Sequence, residues 1–215
     1  MSSCHRDANY PLARPGQQEI RQGTVGGVGA TRMGVVEVDG QEATIAVWPD
    51  RDDSKQLSSS DQRVRRGGIL IGSDGTLYRV ANVVLRPPRS NLPGGWGNSV
   101  IIDEAPVTVP GLSLRTESWV LVERGELQFR QAGTAARGVL ENLTVTRGEH
   151  GPRARFSVRG RRDGEQTFVE ASMGATVDIA GVAHRVLQVV PADPANGLSG
   201  MVELEGAPVS VAGRR

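Results

Sequence analysis

The chain has 215 residues, of which 38% are hydrophobic, 23% charged and only 4% aromatic, a globular composition whose core must come from Val, Leu, Ile and Ala. A formal net charge of +1 excludes attachment to nucleic acid or membrane by bulk charge. The single cysteine, Cys4, excludes an internal disulfide framework, and no run approaches the roughly 18 apolar residues of a membrane helix.

Residues 1–16 read as an N-terminal tail. Their order lacks the charged-then-apolar run of a signal peptide, so the expected location is the cytoplasm, or a particle assembled there. Cys4 and His5 are adjacent on this tail and cannot by themselves shape a tetrahedral metal site. Lys55 is the only lysine among 25 basic residues, which fits a GC-rich bacterial or phage genome, since the arginines are spread along the whole chain.

Residues 17–109 read as a first β domain. The stretch EIRQGT (Glu19 to Thr24) is a strand running into a turn, and GTVGGVGATR (Gly23 to Arg32) a flexible lead-in to the next strand. Met33 to Val38 and Ala43 to Val47 flank Asp39-Gly40, a tight-hairpin signal. Ile69 to Ile71 and Leu77 to Leu85 flank Ser73-Asp74-Gly75 in the same manner, while Ser99 to Ile102 and Val107 to Val109 close the unit around Pro106. Between these lies PDRDDSKQLSSSD, Pro49 to Asp61. Asp50, Asp52, Ser54 and Asp61 fall at calcium-loop places, but Lys55 occupies the glycine place and no bidentate glutamate ends the loop, so a solvated hairpin loop is expected. Ser58 to Val64 is the best helical candidate, and it is short and polar. Trp96 sits in the Gly/Pro loop RPPRSNLPGGWGN, where an indole either caps its own domain or meets a partner.

Residues 110–125 form a connecting segment in which SWVLVER alternates as a strand would. Residues 126–215 read as a second β domain. Val139 to Thr146 and Arg153 to Val158 flank Glu149-His150-Gly151-Pro152, and Ala175 to Ile179 and Val182 to Val190 flank Ala180-Gly181. Ala154, Phe156 and Val158 should face the core, with Arg153, Arg155, Ser157 and Arg159 outward. Val182, His184, Val186, Gln188 and Val190 form a mixed face whose register is ambiguous.

Three phrases recur in order. Ile20-Arg21-Gln22-Gly23-Thr24 matches Phe129 to Thr134 at an offset of 109; Gly68 to Val84 matches Gly174 to Val190 at 106; Ala105 to Val109 matches Ala207 to Val211 at 102. The expected fold is therefore all-β, two tandem duplicated small antiparallel β-sandwich or β-barrel domains of roughly 90 residues each.

The chemistry-bearing residues are few in pattern. No serine or cysteine lies in a nucleophile context, Asp103-Glu104 point to opposite strand faces, and His184 stands where the first domain has Tyr78, which suggests packing with a polar tip. No enzyme, cofactor or metal site is expected. The clearest polar feature is a basic hairpin bearing Arg147, Arg153, Arg155, Arg159, Arg161 and Arg162, with Glu149 alone opposing it. With Trp96 these arginines form the candidate interaction surface, suited to phosphate or to an acidic protein surface. Nucleic acid is not the expected partner, because stacking aromatics are missing around the arginines. Duplicated β units without a catalytic constellation suit a non-catalytic structural or protein-interaction protein, expected as a subunit of a virion or other large particle, which self-assembles or binds a protein partner. The alternative is a ligand-binding module for a glycan or anionic small molecule, with Trp96 and Trp119 at its site.

Overall fold

The computed structural model describes residues 13–49, 59–86, 97–116, 118–130, 137–160 and 166–206. Among them every regular element is a strand. The first eight are β1 (Gln17–Arg21), β2 (Val25–Val28), β3 (Thr31–Asp39), β4 (Glu42–Pro49), β5 (Ser59–Arg65), β6 (Ile69–Ile71), β7 (Leu77–Val84) and β8 (Ser99–Asp103). The next eight are β9 (Trp119–Val122), β10 (Glu126–Arg130), β11 (Arg137–Gly148), β12 (Gly151–Gly160), β13 (Gln166–Ser172), β14 (Thr176–Ile179), β15 (Val182–Val190) and β16 (Met201–Leu204).

The strands make three antiparallel sheets, with orders β1-β8-β7-β6, β13-β12-β11-β10-β5-β4-β3-β2 and β14-β15-β16-β9. Adding eight to each label in the first half's orders reproduces those of the second half. The middle sheet is continuous because β5 and β10 pair, Glu126 opposite Asp61, Leu127 opposite Ser60 and Gln128 opposite Ser59.

Short apolar runs and turn residues set this layout. In β4, Ala43, Ile45 and Val47 are buried while their neighbours are half-buried, the period of two that a one-sided strand requires. Ala180 and Gly181 both adopt positive φ, 54° and 83°, as a primed two-residue hairpin demands, and Asp178 Oδ1 accepts the Gly181 N–H.

Burial divides into three clusters. Ile20, Met33, Ile45, Tyr78, Val100 and Ile102 belong to one, drawn wholly from the first eight strands. Trp119, Phe129, Leu140, Phe156, Ile179 and Leu204 belong to another, drawn from the second eight. Between them Ile69, Ile71 and Leu77 meet Val122, Leu198 and Met201, with Val107, Leu112 and Leu114 packed on the same cluster. SWVLVER is thus a working strand: β9 pairs with β16, placing Trp119 and Leu121 in the second core and Val122 in the middle cluster.

Several expectations are corrected. Of Ser58 to Val64, which has no convincing helical period, residues 59–64 belong to β5, whose buried Gln62 bonds the Ile71 backbone. Gly23 to Arg32 is a hairpin, β2 to β3, rather than a flexible lead-in. Val107 to Val109 makes no strand; Val107 N–H donates to the Leu77 carbonyl from an irregular segment. The first repeated phrase does not mark matching places, since Ile20 and Arg21 lie on β1 of one sheet and Phe129 and Arg130 on β10 of another. Residues 207–211, the second copy of the third phrase, lie outside the described residues, as do Asp50, Asp52 and Ser54 of the calcium-like loop. The mixed face of β15 comes from a bulge between Val186 and Gln188, after which Val189 rather than Val190 is buried.

Candidate interaction surface

The hairpin β11–β12 and its neighbour β13 carry the arginines. Residues directly opposite in an antiparallel pair share a face, so the register assigns each side chain. Arg153 is opposite Thr146 and Ser172, Arg155 opposite Thr144 and Glu170, and Arg159 opposite Val139 and Gln166. Ala154, Phe156 and Val158 are buried below and the three arginines are exposed above, as the alternation requires.

Two expectations fail here. Ser157 lies on the arginine side but is fully buried, because Asn142 Nδ2 donates to its hydroxyl at 3.1 Å and Ser157 Oγ donates to the Glu141 carbonyl at 3.2 Å. The register between β11 and β12 shifts between Glu141 and Thr144, and this irregularity brings Asn142 over the serine. Arg147 leaves the group: it pairs with Pro152, next to the Val145–Ala154 pair, and so belongs to the other face of the sheet. There it contributes, after Asn196, to holding the Asp193 carboxyl below its ordinary range. Arg161, Arg162 and Trp96 lie outside the described residues.

Nor is Glu149 the acidic neighbour. Glu141 pairs with Arg159 at 3.0 Å, and Glu170 stands opposite Arg155 in the ladder. The Arg155 guanidinium carbon lies 4.9 Å from the centre of the Phe168 ring, a cation–π contact on a ring that is 60% exposed. The face is therefore mixed, with Arg159 ion-paired to Glu141 and Arg153 and Arg155 making no ion pair among the described residues. An open cavity of about 630 Å³ lies on it, lined by Thr144, Thr146, His150, Arg153, Arg155 and Glu170.

Trp119 cannot be a ligand platform. It is 3% exposed, stacked on His184 at 4.7 Å and tilted against Phe129 at 5.3 Å. His184 is fully buried with Nδ1 2.8 Å from the Glu205 carbonyl, to which it donates. Tyr78, also buried, donates its hydroxyl to the Val28 carbonyl at 3.2 Å.

A second cavity, about 170 Å³, sits where the halves join and is lined by Glu42, Arg63, Arg65, Glu123 and Arg124 among others. Four of these charges, Glu42, Arg63, Glu123 and Arg124, are engaged. Glu42 takes both Arg124 Nη atoms at 2.7 Å and Arg63 Nε at 2.8 Å. These contacts, Arg124 first, hold its carboxyl below the ordinary 4.5 against the opposing effect of burial. Glu123 accepts the N–H of Val145 at 2.8 Å and of Gly200 at 3.2 Å. Sequence reading missed both carboxylates. Their only signal is position, beside a hairpin turn and after a strand, which many solvated glutamates share.

Comparison with protein-family models, with curated proteins and with solved structures finds no match.

Proposed function

We propose that this is a non-catalytic structural or protein-interaction protein, made by tandem duplication of one β unit and serving as a subunit of a virion or other large particle assembled in the cytoplasm. The observation that carries the reading is the repeated strand order merged into one continuous eight-stranded sheet. Such a body offers extended sheet surfaces. Backbone detail supports duplication. Gly67 N–H to Val80 O, Gly68 N–H to Arg65 O and Val80 N–H to Gly68 O recur as Gly174 to Val186, Ala175 to Ser172 and Val186 to Ala175. The bulge between Val80 and Asn82 recurs between Val186 and Gln188. The buried polar side chains Gln62, Tyr78 and His184 each bond a backbone group, a structural use.

On this reading Arg153, Arg155 and Arg159 meet an acidic protein partner. Retention of the protein on immobilised poly-L-glutamate tests it. The triple change of these arginines to serine should abolish retention at low salt and leave the melting temperature unchanged, because all three are exposed. Equal retention of the triple variant would discard the face. The 630 Å³ cavity favours a second reading, a module for an anionic small molecule. A rise in melting temperature with inorganic phosphate or a sugar phosphate, lost in Arg153→Ser, would favour that module instead.

A further inference from the structure

We infer that copies of this chain join head to tail, β2 of one copy adding to β13 of the next so that the middle sheet runs on from molecule to molecule. The inference rests on the reading of an interaction protein built from duplicated units, and it takes the joint inside the chain as its template. Both strands are ends of that sheet, paired on one side only among the described residues.

Inside the chain the joint is β5 with β10, and β13 and β2 are their counterparts in the repeated order. The backbone sets the correspondence residue by residue. Thr24 N–H to Arg21 O recurs as Gly125 N–H to Val122 O, and the positive φ of Gly23, 77°, recurs at Arg124, 61°. Val25, Gly26 and Gly27 therefore stand where Glu126, Leu127 and Gln128 do. Gly68 N–H to Arg65 O recurs as Ala175 N–H to Ser172 O, and the φ of Gly67, 77°, recurs at Gly174, 81°. Gln166, Thr167 and Phe168 therefore stand where Ser59, Ser60 and Asp61 do. Copying the internal pairs then sets Val25 opposite Phe168, Gly26 opposite Thr167 and Gly27 opposite Gln166.

That register has a consequence that the strand order alone does not require. Val25 is 62% exposed and Phe168 60% exposed, at opposite ends of the sheet. The copied joint makes them one cross-strand apolar pair, each covering the other. A second contact agrees. Val122 shares the middle cluster with Ile69 and Ile71. At the matching places stand Arg21 against Thr176 and Asp178, so an apolar contact inside the chain becomes opposite charges between copies. The edge of β2 is also undefended, since VGGV carries neither the proline nor the charge that usually blocks an open strand.

The joint between copies is thinner than the internal one. Thr176, Asp178 and Ala183 replace Ile69, Ile71 and Leu77, so no apolar cluster backs the ladder. A Cβ on Gly125 would come within 2.5 Å of the Asp61 carbonyl oxygen, and Thr24 at the matching place has one, so that end must open slightly. Association should therefore need high local concentration, as in a particle. Because the two contacting surfaces differ, it leads to rings or filaments.

Sedimentation velocity of the full chain over a wide concentration range tests the joint. The wild-type mass should rise with concentration. Val25→Lys and Phe168→Glu should each weaken association by roughly tenfold or more, the loss expected from an exposed instead of a buried apolar side chain. The double variant V25K/F168E should regain it, because position 25 of one copy meets position 168 of the next, and V25E/F168E should not. At concentrations where the chain is monomeric, melting temperatures should be the same for all of them. A wild-type chain that is monomeric at every concentration, association indifferent to both single changes, or a double variant no better than either single one would overturn the joint. A monomer that still binds poly-L-glutamate through its arginines would overturn the joint alone. Concentration-dependent association without poly-L-glutamate binding would keep the joint and remove the acidic-partner reading.

Discussion

The two halves of the chain follow one strand order and close it with different side chains. In the first, Gln62 reaches from β5 to β6, its amide donating to the Ile71 carbonyl at 2.7 Å and accepting the Ile71 N–H at 3.0 Å. In the second, Val169 on β13 holds the corresponding place and packs on the core instead. Tyr78 and His184 show the opposite relation. The rings differ, yet each is buried with its polar tip donating to a backbone carbonyl. Where a sheet corner buries an unpaired backbone group, any polar side chain that reaches it will serve; Asp178, which stands where Ile71 does, is exposed, so water can serve its backbone and the amide is dispensable.

Removing the ring cluster of the second half should break this comparison most strongly. Trp119→Ala deletes an indole packed on His184 and Phe129, and its expected cost is about 3–5 kcal/mol. Urea denaturation measures it, and a loss below about 1 kcal/mol would mean that these rings do not carry the second core. Gln62→Val, which copies the second half's residue, comes next. It leaves the Ile71 N–H and carbonyl without their partner, at about 2–3 kcal/mol. A neutral result would show that the amide tie is redundant and the halves are closer than their side chains suggest. Tyr78→Phe should cost about 1 kcal/mol, one hydrogen bond to Val28, while the ring keeps its packing.

The smallest effect sharpens the contact between halves. The carboxyl of Glu42 is depressed in the folded chain, first by Arg124. The pair therefore stabilises fully above the unfolded carboxyl value and is lost as pH falls through the lower folded value. With Arg124 59% exposed, the contribution should stay under about 1 kcal/mol. Glu42→Gln should lower stability slightly at pH 7 and become neutral in acid; an equal loss at pH 7 and pH 3 would rule out the charge as its cause.

Much of the fold was legible because period-two alternation and Gly-containing turns are local signals. Asp39-Gly40, Ser73-Asp74-Gly75 and Ala180-Gly181 all sit at hairpins. β5 was not legible, because it buries a polar side chain, Gln62, where period-two alternation looks for an apolar one. The candidate surface was half legible. Alternation put Arg153, Arg155 and Arg159 on one face, but bulges count residues in pairs across strands, so the burial of Ser157 depended on Asn142, 15 positions away. Glu141 and Glu170 became neighbours of the arginines only through the ladder.

By itself, then, the sequence determined an all-β chain, most of its hairpin turns and the inward face of strands with clean alternation, such as β4, since these follow from backbone sterics and the hydrophobic pattern of adjacent residues. Tertiary structure alone decided that β5 and β10 fuse the halves into one sheet, that Arg147 parts from the other arginines, and which strand edges are unpaired among the described residues. Those outcomes depend on register between segments far apart in the chain, and one residue of slip reverses the face of every side chain in a strand.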